Sequence, residues 1–415
     1  MAHVVPARLD AHFGGEAPVP ARMQARTASA ASGDVRLSIY EDLAAIEKDW
    51  RAFEPRADGG GFQSFDWLSA WQRHIGARLG VMPAIVTVRD ASGAILCLLP
   101  LSICAAGSAR ELIWLGSDLC DYNAPVLARG FSEHFDRARF LMLWRDIVRL
   151  LQSHPSLGFD LIHLTKMPET VGAQHNPMRY LGGAINPSGA YLTHLSGDWE
   201  TFYNDKRSSA TRRRDRTKRK RLGEFGEVRF VNPPEDDIAG TLDTLMAQKA
   251  NSFARMGVAN LFAKPGHAEF YRALATDPAT RPMVHVSRLD VGATPAAINL
   301  GLIWRDRYYH LLASYDGGDV SRFGPGAAHL HDLMQFAIER GLKIFDFTIG
   351  DERYKRDWCD TELKLYDFIA AVSWRGALVA APTLAKQRLK RWIKQTPALW
   401  AAATKLREIA GRLRR

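Results

Sequence analysis

The chain has 415 residues, of which 47% are hydrophobic and 24% charged, a balance that suits a globular protein of two or three domains and excludes a collagen, a mucin or a wholly disordered chain. Its four cysteines (Cys97, Cys104, Cys120 and Cys359) are too few for a disulfide scaffold and have neither CxxC spacing nor a nearby histidine cluster, so no metal is expected and a reduced, cytoplasmic compartment is the simplest reading. The net charge of +10 is local: 206–221 and 383–415 each hold ten Lys/Arg against one acid, which leaves a mildly acidic body carrying two basic segments.

Taken in chain order, residues 1–34 are rich in small residues and proline with scattered charges. They have no apolar core for a signal peptide and read as a disordered leader. Residues 35–45 read as a strand followed by a helix start, and 42–53 are helical by period. After Gly59-Gly60-Gly61, Ser64 is placed to cap a helix on which Trp67, Ala70, Trp71 and His74 share one face. Residues 82–88 and 94–103 read as strands joined by a turn at 90–93. The second run is the most apolar in the chain, but it is too short to span a membrane and contains Pro100. A strand at 110–115, a long amphipathic helix at 131–153 and a strand at 159–164 complete the first half.

The second half opens near Tyr191. Residues 198–225 read as one long helix, followed by a strand at 228–231 that Pro233-Pro234 stops. Helices at 238–253 and 267–276 precede strands at 284–289, 296–304 and 307–315. Gly324-Pro325-Gly326 leads into a helix over 327–340 that Gly341 closes. Strands at 343–348 and 362–372 follow, and then a basic helix over 383–415 interrupted by Pro397. Both halves run through helices, antiparallel strands, a long helix and a strand, which suggests a duplicated α/β fold.

The stretch 308–358 holds the clearest chemistry. The free N–H groups and positive dipole end of the helix after Gly324-Pro325-Gly326 would suit a phosphate. Arg322 adds charge there, and Gly324 and Gly326 let a ligand approach the backbone. The alternative is a plain turn and helix start. Asp346 alternates with Phe345 and Phe347 and so faces away from both. It is either a functional carboxylate or the partner of Arg353, Lys355 or Arg356.

The stretch ASYDGGDVSRFGPGAAHLHDLMQFAIERGLKIFDFTIGDERYKRDW resembles the C-terminal region of GNAT-superfamily acyltransferases of the CelD-like group. Those are associated with cellulose and exopolysaccharide biosynthesis and are related to the FemABX aminoacyltransferases. FQSFDWLSAW, LGSDLCDYNAPVL and LFAKPGHAEFYRALA resemble further segments of that group, so the likeness spans roughly 36–375. It implies two tandem GNAT-like domains, each a twisted, largely antiparallel sheet flanked by helices. The first (35–188) would be degenerate and shape the acceptor side; the second (189–376) would bind the donor. Gly324 and Gly326 match the small positions of the acyl-CoA signature, but Ser321 stands where Gln or Arg is usual and Arg322 comes one residue late.

On this reading acyl-CoA or acetyl-CoA is the co-substrate, held by Arg322, Gly324, Pro325, Gly326 and Ala327. Asp346, Glu352 and His310 are candidate bases, and Tyr354 would protonate the departing thiolate. Trp67, Asp121, Tyr122, Tyr315 and Lys355 are expected on the acceptor side. The acceptor would be an amine or hydroxyl on a small molecule, sugar or lipid of the cell envelope. Two rival readings are a FemABX-like transferase taking its donor from aminoacyl-tRNA, to which helix 206–221 could bind, and an inactive accessory protein of polysaccharide export. In the tail, Leu384, Leu389, Trp392, Ile393, Leu399 and Trp400 lie among lysines and arginines. That pattern suggests either a helix lying on an anionic membrane surface, peripheral to the inner membrane, or equally a helix packed on the protein body.

Overall fold

The computed structural model describes residues 27–32 and 34–396. The chain builds one unit, leaves it, builds a second and returns to the first. Strand β1 (Thr27–Ser32) pairs with β2 (Val35–Tyr40). Helices α1 (Glu47–Phe53) and α2 (Phe65–Trp71) follow, then β3 (Met82–Arg89), β4 (Ile95–Ala106) and β5 (Ala109–Trp114) in antiparallel order. Helix α3 (Arg137–Ser153) packs Phe140, Leu143, Trp144, Ile147 and Leu151 inward, a 3.6-residue stripe. It delivers β6 (Leu161–Pro168) parallel to β5.

The second unit repeats this plan. Strand β7 (Ala190–His194) comes first, followed by α4 (Trp199–Lys206), α5 (Ser209–Gly223), β8 (Val228–Val231), α6 (Ile238–Arg255) and α7 (His267–Thr276). Strands β9 (Val284–Val291), β10 (Thr294–Trp304) and β11 (Arg307–Tyr315) form an antiparallel run. Helix α8 (Pro325–Glu339) buries Leu330, Leu333, Met334 and Ala337 and delivers β12 (Ile344–Ile349) parallel to β11. Then β13 (Thr361–Leu363) stays in the second unit, whereas β14 (Leu365–Ala371) and the first part of α9 (Trp374–Gln395) belong to the first.

The strand order of the second sheet is β8-β9-β10-β11-β12-β7-β13; the main path of the first is β1-β2-β3-β4-β5-β6-β14, ending on a short strand at Ala184–Ile185. In each, the strand beyond the parallel pair comes from the other stretch of chain: β7 follows β6 in sequence but pairs with β12, and β14 follows β12 but pairs with β6. The division expected at 188/189 therefore falls after Asn186. The expected end of the second unit at 376 gives way to a return at Leu365.

Several elements are subdivided. The helix expected over 198–225 breaks at Arg207, which is extended, because the Ser208 hydroxyl accepts the Thr211 N–H at 3.3 Å and starts a new helix. The helix expected over 131–153 breaks into one turn (Phe131–His134) and α3, where Asp136 accepts the Arg139 N–H at 2.8 Å. The strand expected over 362–372 becomes β13 and β14 in different sheets. Of the expected leader, 1–26 lies outside the described residues, while its end is strand β1. The tail helix starts at Trp374, nine residues before 383, and runs through Pro382; residues from 397 on, with Leu399 and Trp400, lie outside the described residues. Among the described residues no helix is long and apolar enough to cross a membrane.

Candidate active site

Strands β11 and β12 are paired only at Arg307–Ile344, Tyr308–Phe345 and Tyr309–Asp346. Beyond that, β11 runs to Tyr315 and β12 to Ile349 without meeting, so the two part into a wedge. The cause lies in β12. The Asp346 carboxylate accepts the Thr348 N–H at 2.7 Å, an amide that would otherwise serve a neighbouring strand. Thr348 has a φ of +60°, rare for a β-branched residue, and the β7–β12 register shifts there between Ala190 and Leu192. The first unit has the same device. Lys166 in β6 has a φ of +58°, and its amide donates to the Asp367 carboxylate at 2.9 Å where the β6–β14 register shifts.

Asp346 is fully buried and ion-paired with Arg307 at 3.3 Å. The partner considered for it among Arg353, Lys355 and Arg356 is thus replaced by an arginine 39 residues earlier in the chain. Its carboxylate is committed to shaping the wedge. Glu352 pairs with Lys355 at 3.0 Å, and the Lys355 ammonium also donates to the Thr348 and Ile349 carbonyls at 3.3 and 3.0 Å. Lys355 is therefore a buried clamp on the end of β12, which corrects its expected place as a ligand-facing cation. His310 is buried, and desolvation together with the Lys355 charge holds it well below the usual histidine range, so the ring is neutral. Tyr354 is 36% exposed as a residue, but local desolvation of its phenol and the Glu352 charge push the hydroxyl up, which keeps its proton in place.

Sequence reasoning missed Lys249 on α6. It is only 8% exposed, in the inward stripe with Ile238, Leu242, Leu245 and Phe253. Its ammonium makes no hydrogen bond or ion pair among the described residues; the Phe253 ring lies 5.6 Å away. Burial pushes its pKa down to about 8, opposed by the Glu352 charge and reinforced by Lys355. The Lys249 charge also acts on His310, so α6, β11 and the turn after β12 bring Lys249, His310, Glu352 and Lys355 into one electrostatic cluster. The signal was in the sequence: a lysine where the helical period calls for an apolar residue.

The glycine turn lies at the N-terminus of α8. Gly324 is left-handed (φ +68°), with Pro325 as the first helical residue and no side-chain cap on the helix. Gly326 is not sterically required, since a Cβ there would sit 3.6 Å from Tyr315. Arg322 and Ala327 are exposed, Arg322 lies over the Phe323 ring, and Tyr315 is also exposed. Helix α5 flanks the turn: the Lys218 ammonium lies 3.9 Å from where a Cβ on Gly324 would stand, and Arg219 is ion-paired with Asp332 of α8 at 3.0 Å. Shallow surface concavities lie elsewhere, one between the start of α4 and the end of α8, another on α3.

In the first unit, Asp121 and Tyr122 come together near the β6 bulge. The Tyr122 carbonyl accepts from Gln63 at 2.7 Å, and the Lys166 ammonium donates to the Cys120 carbonyl at 2.6 Å. Both Asp121 and Tyr122 are buried. Trp67, expected to face substrate, is instead a core residue, 1% exposed and packed edge-on against Phe62 at 5.2 Å.

Residues 209–356, which include the wedge, Lys249 and the glycine turn, match the model of an acetyltransferase (GNAT) domain. Among curated proteins no sequence matches the chain. Among solved structures the chain is similar to FemX, with a TM-score of 0.55 and 9% identity over 80% of this chain and 97% of that one. It is also similar to a conserved protein of unknown function from Bacteroides thetaiotaomicron VPI-5482, with a TM-score of 0.50 and 14% identity over 79% and 98%. Likeness at that identity concerns the fold. The expected fold class holds: α/β, with two units of mixed sheet flanked by helices, the second of which contains the stretch that matches the GNAT domain.

Proposed function

We propose that the second unit is an acyltransferase that moves an acyl group from acyl-CoA to an amine or hydroxyl acceptor. The observation that carries this reading is the parting of β11 and β12 beside the uncapped α8 N-terminus, inside the stretch that matches the acetyltransferase domain. Parted strands give an extended donor a place to lie against the backbone. The start of α8, with its dipole and no side-chain cap, and Lys218 beside Gly324 suit a pyrophosphate at its far end. An acyl thioester is already activated, so positioning and proton transfer are what remains for the protein to supply.

The acceptor nitrogen or oxygen attacks the thioester carbon and loses its proton, the C–S bond breaks, and the thiolate leaves after taking up a proton. Asp346 and Glu352 are committed to Arg307, Thr348 and Lys355, so Lys249 becomes the base in this reading, a group whose pKa of about 8 lies near working pH. The proton that Lys249 takes from the acceptor can then pass to the departing thiolate, because the Tyr354 phenol, pushed up, holds its own proton too tightly for the role expected of it. A role in envelope polysaccharide or lipid synthesis rests on the sequence resemblance alone.

Titrating the chain calorimetrically with a panel of acyl-CoAs tests the proposal. Saturable heat, with a matching rise in unfolding temperature, supports it; no heat with any member of the panel overturns it. A second reading, aminoacyl-tRNA as donor, is favoured by one observation. On α5, Arg213, Arg214, Lys218 and Lys220 are exposed and carry no ion pair among the described residues. Binding of tRNA that weakens steeply with salt, without any response to acyl-CoA, would select that donor.

A further inference from the structure

Helix α9 turns an apolar face outward that the other described residues leave uncovered. Its inner side is fixed in the first unit. The Ser373 hydroxyl donates to the Asp160 carboxylate at 2.5 Å, and the Val372 and Ser373 amides donate to the Asp160 carbonyl at 2.8 and 3.2 Å. A Cβ at Gly376 would collide with that same carbonyl, so only glycine lets the helix sit this close. Gly376 and Ala380 are buried, and Leu384 is half-buried.

On the other side, Trp374, Leu378, Ala381, Ala385, Leu389 and Trp392 follow one another at steps of three and four residues, and all are exposed. The large ones are 71% (Trp374), 67% (Leu378), 54% (Leu389) and 60% (Trp392) exposed. At 100° per residue the six fall within an arc of about 80°. A tryptophan stands near each end of the stripe. Arg375 and Lys386 flank it on one side and Arg388 on the other, all exposed, and the helix contains no acidic residue.

We propose that this face seats α9 in the plane of an anionic lipid surface, with the tryptophans and leucines in the headgroup boundary and the flanking cations on the phosphates. The chemistry is that of an interfacial helix: a continuous apolar stripe, tryptophan at the polar boundary, and long basic side chains beside it. A second copy of the chain is a poor occupant, because it would set one acid-free basic helix against another. The inference is independent of the acyl-transfer reading, and it differs from the sequence expectation in starting at Trp374.

The test is co-sedimentation of the full chain with vesicles of phosphatidylcholine alone and of phosphatidylcholine mixed with phosphatidylglycerol, at low and high salt. A variant carrying Trp374→Ser, Leu378→Ser, Leu389→Ser and Trp392→Ser is run beside it. These side chains are exposed, so the unfolding temperature of the variant should match that of the parent chain. The expected result is pelleting with the anionic vesicles that falls with salt and is weakened at least about tenfold in the variant. The proposal is overturned by failure to pellet with anionic vesicles or by equal pelleting of the variant. It is also overturned by a dimer in solution that the variant turns into a monomer.

Discussion

Enclosing a lysine side chain whose ammonium has no hydrogen-bond partner among the described residues costs free energy, and the second unit does this at Lys249, which is 8% exposed. A side chain held at such a cost for its chemistry has a double signature. Lys249→Met, which keeps the volume and removes the charge, is expected to stabilise the protein by about 1–2 kcal/mol in urea unfolding while lowering turnover by about 10²–10⁴-fold. Because a base must be neutral to accept a proton, kcat/KM of the parent chain should rise with pH and level off above about 8. An active Lys249→Met variant would remove Lys249 from the reaction. Asp346 should behave in the opposite way. Asp346→Asn removes the ion pair with Arg307 and weakens the bond to the Thr348 amide, so it should cost about 2 kcal/mol of stability, read as a lower urea midpoint. Turnover would then fall through the shape of the wedge. Alternation along 343–348 already placed Asp346 on the face away from the phenylalanines, but its partner comes from another strand and could not be read locally.

The α8 turn separates two glycines that look alike in sequence. Gly324 needs its left-handed backbone, so Gly324→Ala should cost about 1 kcal/mol and raise KM for the acyl donor by disturbing the amides at the helix start. Gly326→Ala should be close to neutral, because the new Cβ would lie at ordinary contact distance from Tyr315. Steady-state kinetics on the two variants, with acyl-CoA varied, checks the contrast. At this scale the strands of both sheets follow the alternation and the turn residues, and α3, α6, α7 and α8 follow the 3.6-residue period. The misses sit where one polar side chain ended a helix early: Ser208 and Asp136 each took an amide three residues on. A cap of that kind is locally encoded but outweighed by the longer periodic run around it.

For the molecule as a whole, buried histidines set the acid limit. His285 on β9 is bonded to Tyr308 and Asn232 and His329 on α8 to Ser287, and burial pushes both down to about 3 from an ordinary 6.5. Since their folded pKa values lie below the unfolded ones, the unfolded chain binds more protons. The stability they contribute is complete above about pH 6.5 and is lost as the pH falls towards 3. Between pH 7 and pH 5 each should cost roughly 2 kcal/mol, a loss measurable as a lower urea midpoint at pH 5 that His329→Gln would partly remove.

The order of elements, the tandem plan, the glycine turn and the two basic segments were fixed by local information: period, turn chemistry and charge runs need only neighbours in sequence. Tertiary structure alone decided that β7 and β14 change sheets, that Asp346 belongs to Arg307, that Lys355 clamps β12, and that a lysine of α6 comes under the charges of Glu352 and Lys355. Those outcomes depend on which backbones and charges lie side by side after distant segments have packed, and a pairing between residues tens or hundreds of positions apart leaves no periodic trace along the chain.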